Sequence, residues 1–409
     1  MKIFGAYLLF FASAICAAAA GVAPFGASPA VSRREAEAVR AAAAASDNSA
    51  ALEILLDASR KNWAGAVVFF NLGNAQMRGG DAESAVASYR RAAELSPSFF
   101  AARKNLGFAL SQLGRDSDAL AEMRDSLALS GGSDTAILLW FAKRAADARD
   151  FSSALNFCNQ ALLYDDSNRA ALFAKAAYLY ELGRFEECET AAKKLMRDAE
   201  FSARAVRLAG SARARRGDFC GAAAAFGFLE KSGAAERSDA LFFANLLFKM
   251  RLYRDAAAAY ARLGDSASAG NAAEAMLASG DFSGAAGLAE SLGGDLREKI
   301  SGLAKFGAGD FAAARKHLEA CVKKFPDDAR VLCALGGACA ELGDWGAADA
   351  HYARASLDPR FESAARYGML RSAVARGDFV AAHSLAAALA KKYPEFSEYA
   401  KYLEKQISR

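Results

Sequence analysis

The sequence predicts an all-α fold in which about eleven antiparallel helix hairpins stack into a solenoid. A mark of the form Gly-Asp-aromatic-x-x-Ala recurs, strictly or loosely, along nearly the whole chain of 409 residues, with clear copies that begin at Gly217 and Gly343. The residue after the Gly-Asp pair returns at intervals of 34 or 35 residues, apart from two intervals of 29. The six prolines lie outside this pattern or just after a predicted helix end, as an all-helical array requires.

The first twenty residues have the features of a secretory signal peptide. Lys2 precedes an uncharged stretch rich in Leu, Phe and Ala, and residues 18–20 are the small alanines that signal peptidase selects. We therefore predict cleavage after Ala20 and export to the periplasm or cell envelope. A short flexible lead-in is expected over residues 21–31.

Two alternatives for this leader stay open at the level of sequence. The apolar run is close to the thickness of a bilayer, so it could remain as an uncleaved membrane anchor. Cys16 suggests a lipoprotein, although Ile15 before it is bulkier than lipoprotein processing normally tolerates. In either case the membrane contact would be made only through the amino-terminal segment.

The overall charge and the cysteines favour no nucleic-acid or metal chemistry. The 51 Lys and Arg nearly balance the 47 Asp and Glu, which gives no support to a nucleic-acid partner or a membrane surface. The six cysteines after residue 20 show no C-x-x-C pair and no metal-ligand spacing. Cys158, Cys188 and Cys321 stand where other units carry core residues, which predicts buried thiols. In an oxidising compartment Cys321 could instead pair with Cys333 on the next helix.

One register relates all the units. We call the residue after the Gly-Asp pair the marker residue, and the eleven marker residues are Asn48, Ala82, Asp116, Phe151, Phe185, Phe219, Tyr253, Phe282, Phe311, Trp345 and Phe379. Three positions after the marker the residue is Ala in ten units and Cys in one, and nine positions before it the residue is Gly or Ala in nine units. Larger side chains such as Tyr89 come seven positions after it. We expect the Gly to end the first helix in the left-handed conformation, the Asp to cap the second helix, and the small residues to let both helices approach closely.

This pattern resembles the tetratricopeptide repeat, a helix-turn-helix of about 34 residues with signature small and aromatic positions. The residues that match best are Phe69, Leu72, Gly73, Gly80, Ala85, Tyr89, Ala92 and Pro97 in one unit and Leu335, Gly336, Gly343, Trp345, Ala348, Tyr352 and Ala355 in another. The resemblance covers about residues 32–396 and implies a right-handed superhelical solenoid that binds other proteins. It gives amino-terminal units over residues 32–264, carboxy-terminal units over residues 295–396, and a charged, amphipathic capping helix over residues 397–409.

Residues 265–294 depart from the regular repeat length. Two consecutive intervals of 29 remove five residues each, at the ends of second helices that Gly264 and Gly293 stop early. Five residues correspond to roughly 7.5 Å of helix. We predict a change of curvature around residues 253–310, and the alternative is a harmless variation in repeat length.

No arrangement of residues predicts catalysis. The three histidines, His317, His351 and His383, lie on second helices of different units, and no carboxylate cluster completes a metal site. The chain has no H-E-x-x-H, no phosphate-binding P-loop and no G-x-S-x-G motif. We therefore expect a protein that is not an enzyme and has no cofactor.

The resemblance also implies where a partner binds, because in tetratricopeptide arrays the first helices line the concave surface through residues about 15, 12, 8 and 5 positions before the marker. In the ten units from Ala82 onward those positions carry seven cations and one acid, Glu274, with aromatic side chains between them. The predicted partner-binding residues of this groove are Asn74, Lys104, Phe108, Lys143, Phe173, Arg204, Arg207, Asn245, Phe248, Lys299, Arg330 and Arg371. Such a surface suits an acidic or carboxylate-bearing segment with hydrophobic anchors. Alternatively, the aromatic side chains pack between helices and the cations are only solvated.

The terminal-carboxylate clamp of chaperone-binding tetratricopeptide domains is not present. That clamp uses a Lys and an Asn on one helix, a further Asn, and then a Lys and an Arg. Asn74 and Asn105 match two of its places, but Phe70 stands at the first Lys and Ala136 and Trp140 stand at the later cations. A cytoplasmic chaperone adaptor is therefore unsupported.

Taken together, these features predict an exported protein–protein interaction scaffold that holds partner segments in a basic and aromatic groove, in the assembly or maintenance of the cell envelope. One alternative is a membrane-tethered assembly factor or lipoprotein. The other is a non-catalytic subunit of an envelope enzyme complex or a glycan-binding protein.

Overall fold

The computed structural model describes residues 29–198 and 200–407. These residues form twenty-three α-helices and contain no β-strand, which confirms the all-α class. In chain order the helices are α1 (Arg33–Ala43), α2 (Asn48–Ser59), α3 (Ala66–Arg78), α4 (Ala82–Leu95), α5 (Phe100–Gln112), α6 (Asp116–Leu129), α7 (Thr135–Asp147), α8 (Phe151–Tyr164), α9 (Arg169–Glu181), α10 (Phe185–Lys193), α11 (Ser202–Arg215), α12 (Phe219–Lys231), α13 (Arg237–Lys249), α14 (Tyr253–Ala261), α15 (Ser266–Ser279), α16 (Phe282–Ser291), α17 (Gly294–Gly307), α18 (Phe311–Lys324), α19 (Ala329–Glu341), α20 (Trp345–Ala355), α21 (Glu362–Ala375), α22 (Phe379–Ala390) and α23 (Phe396–Ile407). The predicted signal peptide, most of the predicted lead-in and the last two residues of the predicted capping helix lie outside the described residues.

The second helix of each hairpin begins at a marker residue. All eleven marker residues, from Asn48 to Phe379, are the first residue of an even-numbered helix, α2 to α22. An odd-numbered helix precedes each of them, so the described residues form the pairs α1–α2 through α21–α22, followed by α23. The Gly-Asp-aromatic mark therefore lies at the turn inside each hairpin, as the sequence predicts.

The turn depends on the backbone of the Gly and on the side chain of the Asp. Gly217 has a φ of +86°, in the left-handed region where a residue with a Cβ is strained. Asp218 accepts the backbone N–H of Gly221 on Oδ1 at 2.8 Å and thereby caps α12. Three units lack the Gly, and in two of them Arg149 and Arg251 take the left-handed conformation with φ of +61°, whereas the first unit has Ser46 at this place. These two arginines carry backbone strain that the glycine-bearing turns avoid.

Small residues bring the two helices of a hairpin together. The residue three positions after the marker is at most 5% exposed in all eleven units. A Cβ added to Gly73 would lie 2.7 Å from the ring of Tyr89, and one added to Gly302 would lie 2.7 Å from Leu318. In both pairs the glycine stands nine positions before the marker and its partner seven positions after it. The packing predicted from this register is confirmed.

The chain divides into two compact units, and the boundary between them in the sequence falls between Leu208 and Ala209, inside α11. In the first unit, one core cluster includes Tyr89 and Met123 from second helices and Leu106 from α5. In the second unit, a core cluster joins side chains from α15 to α21. Each unit thus buries its apolar side chains between successive helices rather than around one centre.

The two short repeats end their second helices early. Helix α14 has nine residues and α16 has ten, whereas α12 has thirteen and α18 has fourteen. Both helices stop before Gly264 and Gly293, respectively, where the sequence places the missing residues. The change of curvature over residues 253–310 stays a prediction. The final helix, α23, buries Ala400 and Leu403 together with side chains of α22.

The six cysteines of the described residues are free thiols. Cys158, Cys188 and Cys321 are buried, as their register predicts. The pairing of Cys321 with Cys333 that the sequence allows is not formed. Instead, Cys321 belongs to an apolar core cluster and Cys333 packs against the same cluster, so both act as small hydrophobic side chains. Burial raises the pKa of Cys158 to about 12, which keeps its sulfur in the unreactive thiol form.

Candidate partner-binding site

Two of the predicted groove cations link neighbouring hairpins. Lys104 on α5 lies with its Nζ 3.0 Å from Oδ2 of Asp134, and Lys299 on α17 lies 2.8 Å from Oδ2 of Asp328. Both aspartates are N-caps of the next first helix, and each uses its other oxygen, Oδ1, to accept a backbone N–H of that helix. The side chain of Lys104 is 14% exposed. These two cations therefore hold the array together more than they face solvent.

Other predicted cations of the groove are also engaged. Lys143 pairs with Asp147 at 3.0 Å, and Arg371 pairs with Glu341 at 3.0 Å. Arg330 on α19 pairs with Glu274 on α15, two hairpins earlier. The guanidinium of Arg204 lies 5.1 Å from the ring centre of Phe173, and Arg207 is half-buried on α11. Four of the seven cations thus pair with acids at helix ends, which lie outside the four counted positions, and Arg330 pairs with Glu274, the one acid that was counted.

The two predicted groove asparagines bind tyrosines of their own hairpins. Asn74 on α3 is buried, and its Oδ1 accepts a hydrogen bond from the Tyr89 hydroxyl at 2.8 Å and another from Asn105 Nδ2 at 2.9 Å. Asn245 on α13 is exposed, and its Oδ1 accepts the Tyr260 hydroxyl at 2.5 Å. In both cases Asn stands eight positions before the marker and Tyr seven positions after it. These polar pairs join the two helices of a hairpin.

The predicted groove aromatics divide into packed and exposed side chains. Phe108 is partly buried against a core cluster, and the ring of Phe173 lies 5.7 Å from that of Phe201. Phe248 on α13 is 36% exposed, although its ring lies 5.2 Å from Tyr253. Phe108 and Phe173 therefore serve mainly to pack helices, and Phe248 also presents apolar surface to solvent.

The second unit contains a cavity of about 540 Å³ that we call the aromatic cavity. It is formed by α19, α20, α21 and α23, and its eleven lining residues are five aromatic residues, five small or aliphatic residues and one cation. The residues that define it are Trp345, Tyr352, Tyr367, Arg371, Phe396 and Tyr399. Tyr367 and Tyr399 are 48% and 37% exposed, so apolar surface is open to a ligand at this point.

A second cavity, of about 570 Å³, lies in the same unit beside the loops that precede α19 and α21. Its lining includes Lys299, Lys324 and Arg360, and each of these cations is already ion-paired with an aspartate. This cavity therefore attracts an anionic ligand less than the number of its cations suggests.

Two models of one repeat family match the sequence. A model described as tetratricopeptide repeat matches residues 301–360, and another described as TPR repeat matches residues 73–114. Both stretches contain the register, the glycine turn and the helix contacts found above. Residues 73–114 and 301–360 are thus tetratricopeptide repeats. Proteins built from such repeats are generally non-catalytic scaffolds that bind other proteins.

Several solved structures are similar to parts of the chain. A tetratricopeptide repeat protein from Parabacteroides merdae shares 18% identity, with a TM-score of 0.42, over 67% of this chain and 98% of its own. YrrB, described as a TPR protein with an unusual peptide-binding site, shares 19% identity, with a TM-score of 0.38, over 43% of this chain and 90% of its own. PilF of Pseudomonas aeruginosa shares 15% identity, with a TM-score of 0.41, over 48% and 90%. No curated protein matches the chain by sequence.

The tetratricopeptide register predicts some of the residues that line the aromatic cavity but not the others. Tyr367 and Arg371 stand at groove positions of the first helix α21. Trp345 is a marker residue, which sequence reasoning assigned to the turn, and Phe396 and Tyr399 belong to or adjoin the segment assigned to capping. The aromatic spacing of α23 could have signalled a second role, because a helix that only caps an array needs no exposed tyrosine.

The tetratricopeptide position that carries the first Lys of the carboxylate clamp is used for packing. The ring of Phe70 lies 4.9 Å from that of Phe99 and 6.0 Å from that of Tyr89. Phe70 thus fills space between α3, α4 and the start of α5. A terminal carboxylate would find no cation at this position.

The histidines do not converge on a metal or catalytic site. His317 Nδ1 lies 2.7 Å from Glu298 Oε2, and burial lowers the pKa of the half-buried His351. Across residues 29–198 and 200–407, no group of three or more His, Cys, Asp or Glu side chains is placed to hold a metal ion. No helix in the same residues is both long and apolar enough to cross a membrane.

Proposed function

We propose that this protein is an exported, non-catalytic scaffold that holds a segment of a partner protein against its first helices in the cell envelope. The tetratricopeptide family supports the scaffold role, since its members generally bind other proteins without catalysis. The composition of the first twenty residues supports export, because an apolar stretch that ends in small residues directs secretion. The partner would be held stoichiometrically, with no chemical step.

The aromatic cavity is the observation that carries this proposal. Its volume of about 540 Å³ lies within the range that is usual for ligand-binding sites. A protein generally has only a few cavities of this size. Aromatic side chains and Arg are the residue types that contribute most at interfaces between proteins. In the first unit, by contrast, the predicted groove residues contact other residues of the array, as Lys104, Asn74 and Phe108 do. Partner contacts are therefore expected to concentrate in the second unit.

The partner segment is expected to be acidic or to bear a carboxylate. Arg371 remains 59% exposed while it pairs with Glu341, and a guanidinium has five N–H donors, so it can bind a second carboxylate. Lys104 and Lys299 are committed to N-cap aspartates and are less available. The charge preference should therefore depend on Arg371 more than on the cations of the first unit.

Site-specific photo-crosslinking tests the position of the partner. A photoreactive amino acid placed at Phe248 or Tyr367, both exposed on first helices, should crosslink to the partner in the native envelope. The matched controls are Leu163 and Val380, which are 83% and 66% exposed on second helices, and they should give little product. Equal yields from both sets, or products from the second helices alone, would contradict the proposal.

The proposed export is tested on the mature protein itself. Mass spectrometry of the protein from a periplasmic or envelope fraction should give a chain that begins at Gly21. A chain that keeps residues 1–20 would favour the membrane-tethered alternative, and one that begins at a lipid-modified Cys16 would favour the lipoprotein.

A further inference from the structure

The hydroxyl group of Tyr352 lacks the partner that its register predicts. Three units carry Tyr seven positions after the marker, and in two of them the Tyr hydroxyl binds an Asn eight positions before the marker. In the third unit the residue at that position is Gly337, which has no side chain to accept a hydrogen bond. Among the described residues, Tyr352 Oη makes no hydrogen bond, and it is not one of the fully buried polar atoms that lack a partner, so solvent or a ligand can reach it.

The ring of Tyr352 is fixed at the inner wall of the aromatic cavity. Tyr352 is 7% exposed and lines the cavity. A Cβ added to Gly336 would lie 2.9 Å from its ring, and one added to Gly368 on α21 would overlap it. A Cβ added to Gly337 would lie 3.6 Å from its hydroxyl oxygen. The three glycines let the ring cross from α20 to the space between α19 and α21. The ring of Phe306 lies against Gly337, and no polar side chain of α19 binds the Tyr352 hydroxyl at that position.

The other lining residues of the aromatic cavity indicate which further chemical groups a ligand needs in order to fit. Trp345, Tyr367, Phe396 and Tyr399 supply aromatic surface, and the rings of Tyr367 and Phe396 meet edge to face at 5.9 Å. Arg371 is the one cation of the lining, and it is largely exposed. A flat apolar group fits the walls, a neutral polar tip fits Tyr352, and a negative charge fits the rim.

We propose that the aromatic cavity binds a tyrosine side chain of a partner segment, with its phenol hydrogen-bonded to Tyr352 and an adjacent acidic residue bound to Arg371. This inference rests on the proposed scaffold function and names the ligand chemistry of its main site.

A carboxylate is the poorer occupant of the inner wall. Its charge would lose water among aromatic rings and receive only the neutral hydroxyl of Tyr352 in return, which is an unfavourable exchange. A phenol carries no charge, and its hydroxyl can both donate to and accept from Tyr352. At the exposed rim a carboxylate keeps part of its water while it binds Arg371. The two polar groups of the cavity therefore select different groups of the ligand.

The test uses the full chain and three fluorescent nine-residue peptides in a Gly/Ser background. Each peptide has a central residue between two glutamates, and that residue is Tyr, Phe or Ala. Fluorescence anisotropy should show the Tyr peptide binding about two- to twelvefold more tightly than the Phe peptide, as a net hydrogen bond of about 0.5–1.5 kcal/mol implies. The Ala peptide should bind at least about tenfold more weakly than the Tyr peptide.

Tyr352→Phe removes one oxygen atom and should abolish the preference for Tyr over Phe without weakening the Phe peptide. Tyr260→Phe is the matched control, because the Tyr260 hydroxyl is bound to Asn245 and lies outside the cavity lining. It should leave the preference unchanged. Tyr367→Ala, at an exposed rim position, should weaken the Tyr and Phe peptides alike, and Arg371→Gln should weaken both by about tenfold at low salt.

The inference is overturned if the Tyr peptide fails to bind, or if its preference over Phe survives Tyr352→Phe. Crosslinks from Tyr367 to a native partner would still stand in that case, so the scaffold would remain and only the ligand assignment would fail. Absence of crosslinks from the first helices would contradict the scaffold itself.

Discussion

The tyrosines that share one register should differ in what their hydroxyl groups contribute to stability. Tyr89 is 2% exposed, and its hydroxyl donates to the buried Asn74 at 2.8 Å. Tyr89→Phe leaves the Asn74 oxygen with one donor instead of two. We expect the free energy of unfolding of the first unit to fall by about 1 kcal/mol, the usual value for a neutral buried hydrogen bond. For a unit of this size that corresponds to roughly 2–4 °C in Tm.

The same change at the other two positions should cost less. Tyr260→Phe loses a bond to the exposed Asn245, which water can replace, so about half of that effect is expected. Tyr352→Phe loses no hydrogen bond, and the expected change is within about 0.5 kcal/mol.

Hydrogen exchange measured helix by helix is the suitable assay, because repeat arrays open locally rather than in one step. Exchange should rise in α3 to α5 for Tyr89→Phe and stay unchanged in α19 to α21 for Tyr352→Phe. An equal loss at Tyr89 and Tyr352 would show that the Tyr352 hydroxyl has a partner, and the reasoning about the aromatic cavity would fail with it.

Further predictions concern the turns, the helix contacts and acid sensitivity. Arg149→Gly relieves a left-handed non-glycine backbone and should raise stability by about 0.5–1 kcal/mol in urea unfolding, whereas no gain would show that the turn is unstrained. Gly302→Ala places a Cβ 2.7 Å from Leu318 and should lower Tm, at a cost of about 1–3 kcal/mol, with Ala substituted at an exposed site as control. Burial alone would raise the pKa of Asp328, but the hydrogen bond from Lys299 and the backbone N–H groups of α19 lower it on balance. Because the pKa of Asp328 is lower in the folded than in the unfolded chain, this contribution to stability is present above the ordinary aspartate pKa of 3.8 and is lost as the pH falls through the folded value. Asp328→Asn should therefore flatten the decline of Tm below about pH 4, and an unchanged decline would assign the acid sensitivity to other carboxyl groups.

The repeat made the hairpin architecture predictable from sequence. Each structural position occurs in eleven repeats. The turn at Gly217 and the contact of Gly73 with Tyr89 could therefore be predicted from residues that recur at the same place in many repeats. The early ends of α14 and α16 were predictable for the same reason, since a missing segment is visible against a regular interval.

The chemistry of the candidate site was less predictable, because it depends on single residues and on contacts between units of the repeat. A count of the charges at four positions of each first helix did not include Asp134 and Asp328. These aspartates lie at the starts of helices and form ion pairs with lysines of the preceding hairpin. The aromatic cavity needs Phe396 from the last helix beside Tyr367 from α21, and no periodicity links these two residues. Cys321 and Cys333 were adjacent in the pattern, but each found its place in the core instead of a disulfide bond.

The N-cap aspartates with two occupied oxygens make neighbouring hairpins unfold together. Loss of α5 would remove Lys104 from Asp134 and leave the cap of α7 without its counter-ion, so the next hairpin would be weaker as soon as its neighbour opened. Lys299 and Asp328 couple α17 to α19 in the same way. The stability of a repeat array is the sum of the stability of each hairpin and the interaction energy between neighbouring hairpins, and such a link increases the second contribution relative to the first. The array should therefore open in blocks of hairpins wherever such links join them, which includes Asp265, whose Oδ1 accepts the backbone N–H of Ser268 while its Oδ2 binds Arg237 of α13.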